Sequence, residues 1–356
     1  MDRSVAERDR QRVVDEAVGG DEREALEAPV DDGDVEVVTT ARAVDDRYLT
    51  RIRKRRAEEL FEPFAHPIRR YHRESPLRSG PMSRLRLGVI VALLLGTLLA
   101  APTAEARFSG MNARSWTDRI ADLGPRPAGG RHEFQAGTLV RNRLAALGYS
   151  VRRQWFGLPN GDRSHNVVGR TPGRLRLIVV AHMDGVRGTR AANDNASGVG
   201  SVLELARNLR GKNGVLVAAL GAEERMVTGS SWHLGSRKLT RSLTERQKAG
   251  VRLALSMDMV GVGSTLHVRG LEASPNRSGR RLLAAAQRLG IRVTYMRDTG
   301  QSDHDDLTRG GVPAAWVEWR WDTCWHRPCD QISRVRRWKL WRAGKLVLGA
   351  ARAAVG

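Results

Sequence analysis

The chain has 356 residues, with 60 Lys and Arg against 39 Asp and Glu, a formal charge of +21. That length holds one large α/β domain or two smaller ones. Residues from Arg107 onward carry the whole excess, about 42 basic to 19 acidic. Their arginines are scattered singly instead of clustering with aromatics, which argues against a dedicated nucleic-acid surface and for a solvated Arg-rich one.

Residues 1–81 are polar, acidic from Asp31 to Asp46 and basic from Arg51 to Arg73. Short amphipathic helices fit Val5 to Ala17 and Tyr48 to Phe64, but no run is apolar enough for a core, so we expect disorder. Met82-Ser-Arg-Leu-Arg then leads into an apolar run from Leu87 to Ala101, and Ala104-Glu105-Ala106 precedes Arg107. A basic start, an apolar middle and a small-x-small site are the parts of a secretory signal. The run falls short of the roughly 20 residues a membrane helix wants. Either Met82 is the true start, or the chain is a single-span protein with a cytoplasmic tail. Both put the domain at 107–356 outside the cytosol, and export with cleavage after Ala106 is the better fit. Membrane contact is expected only through 87–102, if the signal is retained.

Helical spacing covers Trp116 to Leu123 and His132 to Leu147, with Gly124-Pro125-Arg126-Pro127 as the turn between them. Strand-like runs follow at Asn166–Gly169, Leu175–Ala181, Gly214–Leu220, Val251–Met257, Leu266–Val268, Ile291–Tyr295 and Val312–Trp319. Helical stretches at Ala196–Leu209, Gly229–Leu239, Pro275–Leu289 and Asp303–Arg309 fall between them, and Arg334–Ala354 closes the chain. Such alternation predicts a single α/β domain, a mostly parallel central sheet with helices on both faces. Asn195 or Ser197 is placed to cap the helix that starts near Ala196.

Polar residues that end these strands carry the chemistry. His182 and Asp184 follow the apolar run Ile178 to Ala181, and Asn193-Asp194-Asn195 lies in the loop beyond. Glu223-Glu224 follows Leu220, Asp258 follows Met257, and Asp322 to Asp330 follows the last strand. Singly, each acid reads as a surface residue or a helix cap. Together they lie beyond one end of a parallel sheet, where open α/β folds gather their binding loops. His and carboxylate side chains form a ligand set that suits zinc. Met257 and Met259 read as packing, and His132, His233 and His267 as structural. Asp305 and Asp306 read as a helix N-terminus. Cys324 and Cys329 fit a small-loop disulfide in an oxidising compartment better than a pair of thiolate ligands flanking His326.

Six short motifs occur in order: His182-x-Asp184, Asn193-Asp194-Asn195-x-Ser197-Gly198, Glu223-Glu224, Asp258-Met259-Val260-Gly261, Ser302-Asp303-His304 and His326-x-x-x-Asp330. This order resembles the secreted co-catalytic double-zinc aminopeptidases, the streptomycete-type leucine aminopeptidases of the zinc exopeptidase superfamily, across about Met111 to Val335. The resemblance implies two zinc ions: His182 and Asp258 on one, Glu224 and His326 on the other, and Asp194 bridging. It makes Glu223 the general base, with Asp184 orienting His182. Asp303 and His304 match a stretch that does not ligate zinc. Trp325 stands where streptomycete-type enzymes place a Tyr. The implied activity is removal of N-terminal residues from peptides by a secreted monomer. A carboxypeptidase or glutaminyl cyclase on the same fold, or a non-catalytic binding descendant, are the alternatives.

Overall fold

The computed structural model describes residues 107–224 and 232–356. The expected tail, the apolar run at 87–101, the cleavage site and the first residues of the Gly229–Leu239 stretch lie outside the described residues. No helix among the described residues is long and apolar enough to cross a membrane.

Two helices, α1 (Gly110–Ala121) and α2 (Arg131–Ala146), precede a hairpin of β1 (Ser150–Gly157) and β2 (Arg163–Arg170). Then come β3 (Leu177–His182), α3 (Ser197–Leu209), β4 (Val215–Leu220), α4 (Leu234–Arg241), α5 (Glu245–Gly250) and β5 (Leu253–Met257). The remainder is β6 (Thr265–Gly270), α6 (Arg277–Leu289), β7 (Thr294–Arg297), α7 (His304–Arg309), β8 (Ala315–Arg320) and α8 (Arg337–Val355). The eight strands form one sheet in the order β1-β2-β4-β3-β5-β8-β6-β7.

The four central strands, β4-β3-β5-β8, run parallel, as their alternation with helices predicts. The antiparallel pairings lie outside them: β2 with β1 and β4, and β6 with β8. Strand β1 escaped the sequence reading. Its sequence, SVRRQWFG, belongs to an edge strand with only Gln154 buried, so period-two apolar alternation is missing.

Side-chain alternation divides the core in two. Leu177, Val179 and Ala181 of β3 join the large cluster with α1, α3, α6 and α8. Ile178 and Val180 point the other way, into the cluster with Leu239 and Leu307 of α4 and α7. A strand covered on both faces reads as a continuous apolar run, as β3 does. Helix α3 is buried almost all round, and α1 crosses it closely. A Cβ at Gly200 would come within 2.5 Å of Ala113 O, so that crossing requires glycine.

Candidate metal centre

Strands β3, β4 and β5 end at one rim of the sheet, because they run parallel in matched register. His182 closes β3, Glu223 and Glu224 follow β4, and Asp258 follows β5. The loop after β8 returns His326 to the same rim. His182 Nε2 lies 3.2 Å from Asp194 Oδ1 and 3.4 Å from Asp258 Oδ1. His326 Nε2 lies 3.3 Å from Asp194 Oδ2 and 2.9 Å from Glu224 Oε2. Asp194 thus presents one oxygen to each imidazole. All seven residues singled out from the sequence, Asp184 and Glu223 included, meet at this rim.

Neighbouring groups hold several of these side chains and the backbone that carries them. Asp184 accepts backbone N–H bonds from Glu223 at 3.0 Å and Glu224 at 3.1 Å, and its Oδ1 is 3.6 Å from His182 Nδ1. It therefore ties the end of β4 to the end of β3. Asp330 accepts from the backbone N–H of Asn193 at 2.8 Å and of Asp194 at 3.1 Å. Asn195 Oδ1 accepts from Gly198 N in the first turn of α3 at 2.8 Å, while its Nδ2 donates to Met257 O. Ser302 Oγ donates to Asp258 Oδ2 at 2.8 Å. Cys324 and Cys329 are disulfide-bonded, so neither is a thiolate ligand, and His326 sits in the loop they close.

Arg126 lies wholly buried beneath the rim, donating to the carbonyls of Met183, Arg190 and Ala191, among others. Burial lowers its pKa to about 10, against the pull of Asp184 and Asp330. The roles of Arg126 and Asp330 were missed: an Arg in a Gly-Pro turn carries no motif, and Asp330 was read only as part of a pattern.

Crowded, buried carboxylates set the electrostatics. Burial pushes the Glu223 carboxyl well above its ordinary range, with Asp258 and Asp194 adding to it and His182 opposing. Burial, then Asp194, raises Glu224 to about 8. Burial works against the charged His326, yet Asp194 and Glu224 lift it to about 10. His182 is likewise held well above its usual value, since Glu223 and Asp258 outweigh its burial. Asp194 is lowered by the two imidazoles despite burial. Such a cluster calls for positive charge.

The donor set, imidazole and carboxylate, fits a borderline divalent cation such as zinc. Three groups hold ligand atoms within 4.8 Å of one another: His182-Asp194-Asp258, His182-Glu223-Glu224 and Asp194-Glu224-His326. His182 Nε2 and Asp258 Oδ1 are buried without hydrogen-bond partners, as ligand atoms would be.

His233 and Asp306 make more contacts than their sequence reading expects. His233, expected to be structural, places Nε2 3.3 Å from Glu223 Oε1 and Nδ1 3.8 Å from Asp306 Oδ2. Asp306 therefore faces His233 and Arg237 as well as the N-terminus of α7. His304 is buried with Nε2 3.0 Å from Asp298 Oδ2, as its structural reading expects. Trp325 is half exposed, its ring 4.3 Å from that of His326. A cavity of about 420 Å³ opens from the acids past Trp316 and Trp325 to Arg269, Glu318 and Arg320.

The model of peptidase family M28 matches residues 166–351. Aminopeptidase YwaD of Bacillus subtilis is 30% identical over 213 residues, 54% of this chain and 45% of its own. The match thus spans less than half the length of that relative. Among solved structures, BSAP, a zinc aminopeptidase from Bacillus subtilis, superposes with a TM-score of 0.64 at 19% identity, over 70% of this chain and 95% of its own. A glutaminyl cyclase from Bacteroides thetaiotaomicron gives 0.59 at 22%, over 69% of this chain and 98% of its own. The two structural likenesses establish the fold.

Proposed function

Since the chain belongs to peptidase family M28, we propose that it is a zinc-dependent exopeptidase that removes N-terminal residues from peptides. One observation carries this reading: Asp194 offers its two oxygens to two imidazoles, each backed by a further carboxylate. His182 and Asp258 would hold one zinc ion, His326 and Glu224 the other, and Asp194 both. When bound, the ions supply a Lewis acid for the scissile carbonyl and lower the pKa of water to about 7.

The protein's own residues do the rest. Glu223 is adjacent to a ligand but pairs with no ligand imidazole closer than 4.0 Å, so it is the acid left to act as general base. It takes a proton from the attacking water and passes it to the departing amine. His233 touches its Oε1, which leaves Oε2 turned toward His182. Asp184 holds the Glu223-Glu224 backbone and His182 in one arrangement. Trp325 can donate a hydrogen bond from its indole N–H, but it cannot ionise as a Tyr would.

Sequence similarity to an aminopeptidase supports this reading over a glutaminyl cyclase, whose likeness rests on the fold alone. The Cys324–Cys329 disulfide supports an exported domain at 107–356, since such bonds persist in oxidising compartments. Residues 82–106 would then be a signal or a retained span, and 1–81 a tail. The test is Glu223→Gln. Turnover of aminoacyl-nitroanilides should fall by about 10²–10⁴-fold, the range of general-base catalysis, while bound zinc is unchanged. Loss of zinc would assign Glu223 to the ligands and refute its role as base.

A further inference from the structure

Another part of the cavity carries charge that the proposed reaction does not use. Strands β6 and β8 are antiparallel with Arg269 opposite Trp316 and Thr265 opposite Arg320. Alternation along β8 therefore turns Trp316, Glu318 and Arg320 to one face, and all three line the cavity with Arg269. Arg269 stacks over the Trp316 ring, its guanidinium carbon 4.2 Å from the centroid. Its Nη1 donates to Glu318 Oε1 at 3.0 Å, and Arg320 Nη1 reaches the same oxygen at 3.5 Å.

Two guanidiniums thus share one carboxylate oxygen, and Arg269 Nη2 has one further acceptor, Gln301 Oε1, at 3.3 Å. The nearest other acid, Asp298, is 3.7 Å from Arg269 Nε but already faces His304 at 3.0 Å. Arg320 has little else to bind. Beyond Glu318 it meets the thioether of Met296 at 3.7 Å, a weak acceptor, and stacks over the Trp321 ring with its guanidinium carbon 5.1 Å from the centroid. Neither Arg269 Nε nor Arg320 Nε has a hydrogen-bond partner, although both are buried. Donors therefore outnumber acceptors in a confined, Trp-walled space. A cationic side chain entering there would meet two guanidiniums, and an apolar one would cover them without an acceptor. A carboxylate would supply the missing acceptor, and two planar forks suit it best.

We propose that Arg320, backed by Arg269, forms a carboxylate-binding subsite, so that the preferred substrate places a carboxylate in this part of the cavity. This deepens the exopeptidase reading and rests on it for its meaning. The carboxylate is that of an acidic first side chain or the free α-carboxylate of a peptide end, and suitable probes separate the two.

Tryptophans line the cavity, so binding to the zinc-loaded full chain is readable by fluorescence without turnover. Glutamic acid α-amide offers a free amine and a side-chain carboxylate, N-acetylleucine only an α-carboxylate, and leucinamide none. One of the two carboxylate probes should bind at least tenfold tighter than leucinamide. Arg320→Met should erase that ratio, and Arg320→Lys should restore part of it. Leucinamide binding equally well, or a ratio that survives both Arg320→Met and Arg269→Met, would overturn the proposal. Parallel assays on glutamyl- and leucyl-nitroanilide and on N-blocked peptides keep the two readings apart. A carboxylate preference in binding with no hydrolysis of any substrate would refute the peptidase, not the subsite.

Discussion

In one part of the cavity the carboxylates of Asp194, Glu223, Glu224 and Asp258 crowd round two imidazoles; in another, Glu318 lies between Arg269 and Arg320. Both parts bury ionisable groups against tryptophan. The first has more negative charge than its own side chains balance, and His182 Nε2 and Asp258 Oδ1 are buried there without hydrogen bonds. The second has an excess of donors on rigid strands. Burial of charge does not by itself mark a site, since Glu204 is as deeply buried and accepts from Ser109 N, Asn112, Arg207 and Asn208. The imbalance is the informative quantity, and its sign indicates what each part receives: cations in one, an anion in the other.

Stripping metal would break the comparison most severely. Chelation followed by dialysis should bring hydrolysis to background and zinc should restore it, read by aminoacyl-nitroanilide turnover alongside metal analysis. Full activity in a zinc-free sample would remove the reason given for the acid cluster. Asp330→Asn comes next, because it weakens the hold on the Asp194 backbone without touching a ligand. Zinc affinity should fall about 10–100-fold, measured by competition with a chromophoric chelator. Unchanged affinity would mean that the loop needs no such anchor.

His233→Phe should lower kcat by about tenfold with KM and zinc content retained, since it releases Glu223 but leaves the ligands in place. His233→Gln should keep more activity than the Phe variant, and equal losses would reduce His233 to packing. The smallest effect concerns Glu133, a buried acid outside the cavity that accepts from Ser164 Oγ and Gly129 N. Burial, then the nearby Asp184, raises its pKa from 4.5 to about 8. The folded state therefore keeps a proton that the unfolded chain releases. Its stabilising contribution is complete below about pH 4.5 and is lost as pH rises through about 8. Denaturant titrations should show stability falling across that window by at most about 1.4 kcal/mol per pH unit, with a flatter profile for Glu133→Gln. Identical profiles would show that Glu133 does not hold that proton.

The parallel centre of the sheet was legible because β3, β4 and β5 are covered on both faces and spell continuous apolar runs. His182, Glu223, Glu224 and Asp258 were legible as candidate ligands because they end or follow such runs, whereas Asp194 and His326 lie in loops further on and stood out only through the resemblance. Strand β1 was not, since an edge strand with arginines in it has no apolar face to declare. His233 was hidden for another reason. Its neighbour Trp232 and its own helix gave no motif, and only the folded loop brings it to Glu223. Arg269 and Arg320 lie 51 positions apart and look like two more arginines among many; antiparallel pairing of β6 with β8 is what makes them neighbours.

The ring closed by Cys324 and Cys329 contains His326, so one imidazole of the centre travels on a covalently limited loop. Opening that ring enlarges the conformational freedom the imidazole must surrender to reach its partners. By reciprocity, an occupied centre resists opening of the ring. A thiol reductant and a chelator, each mild alone, should therefore inactivate as synergists, and the redox poise of the surroundings becomes a control on how fully the centre is loaded.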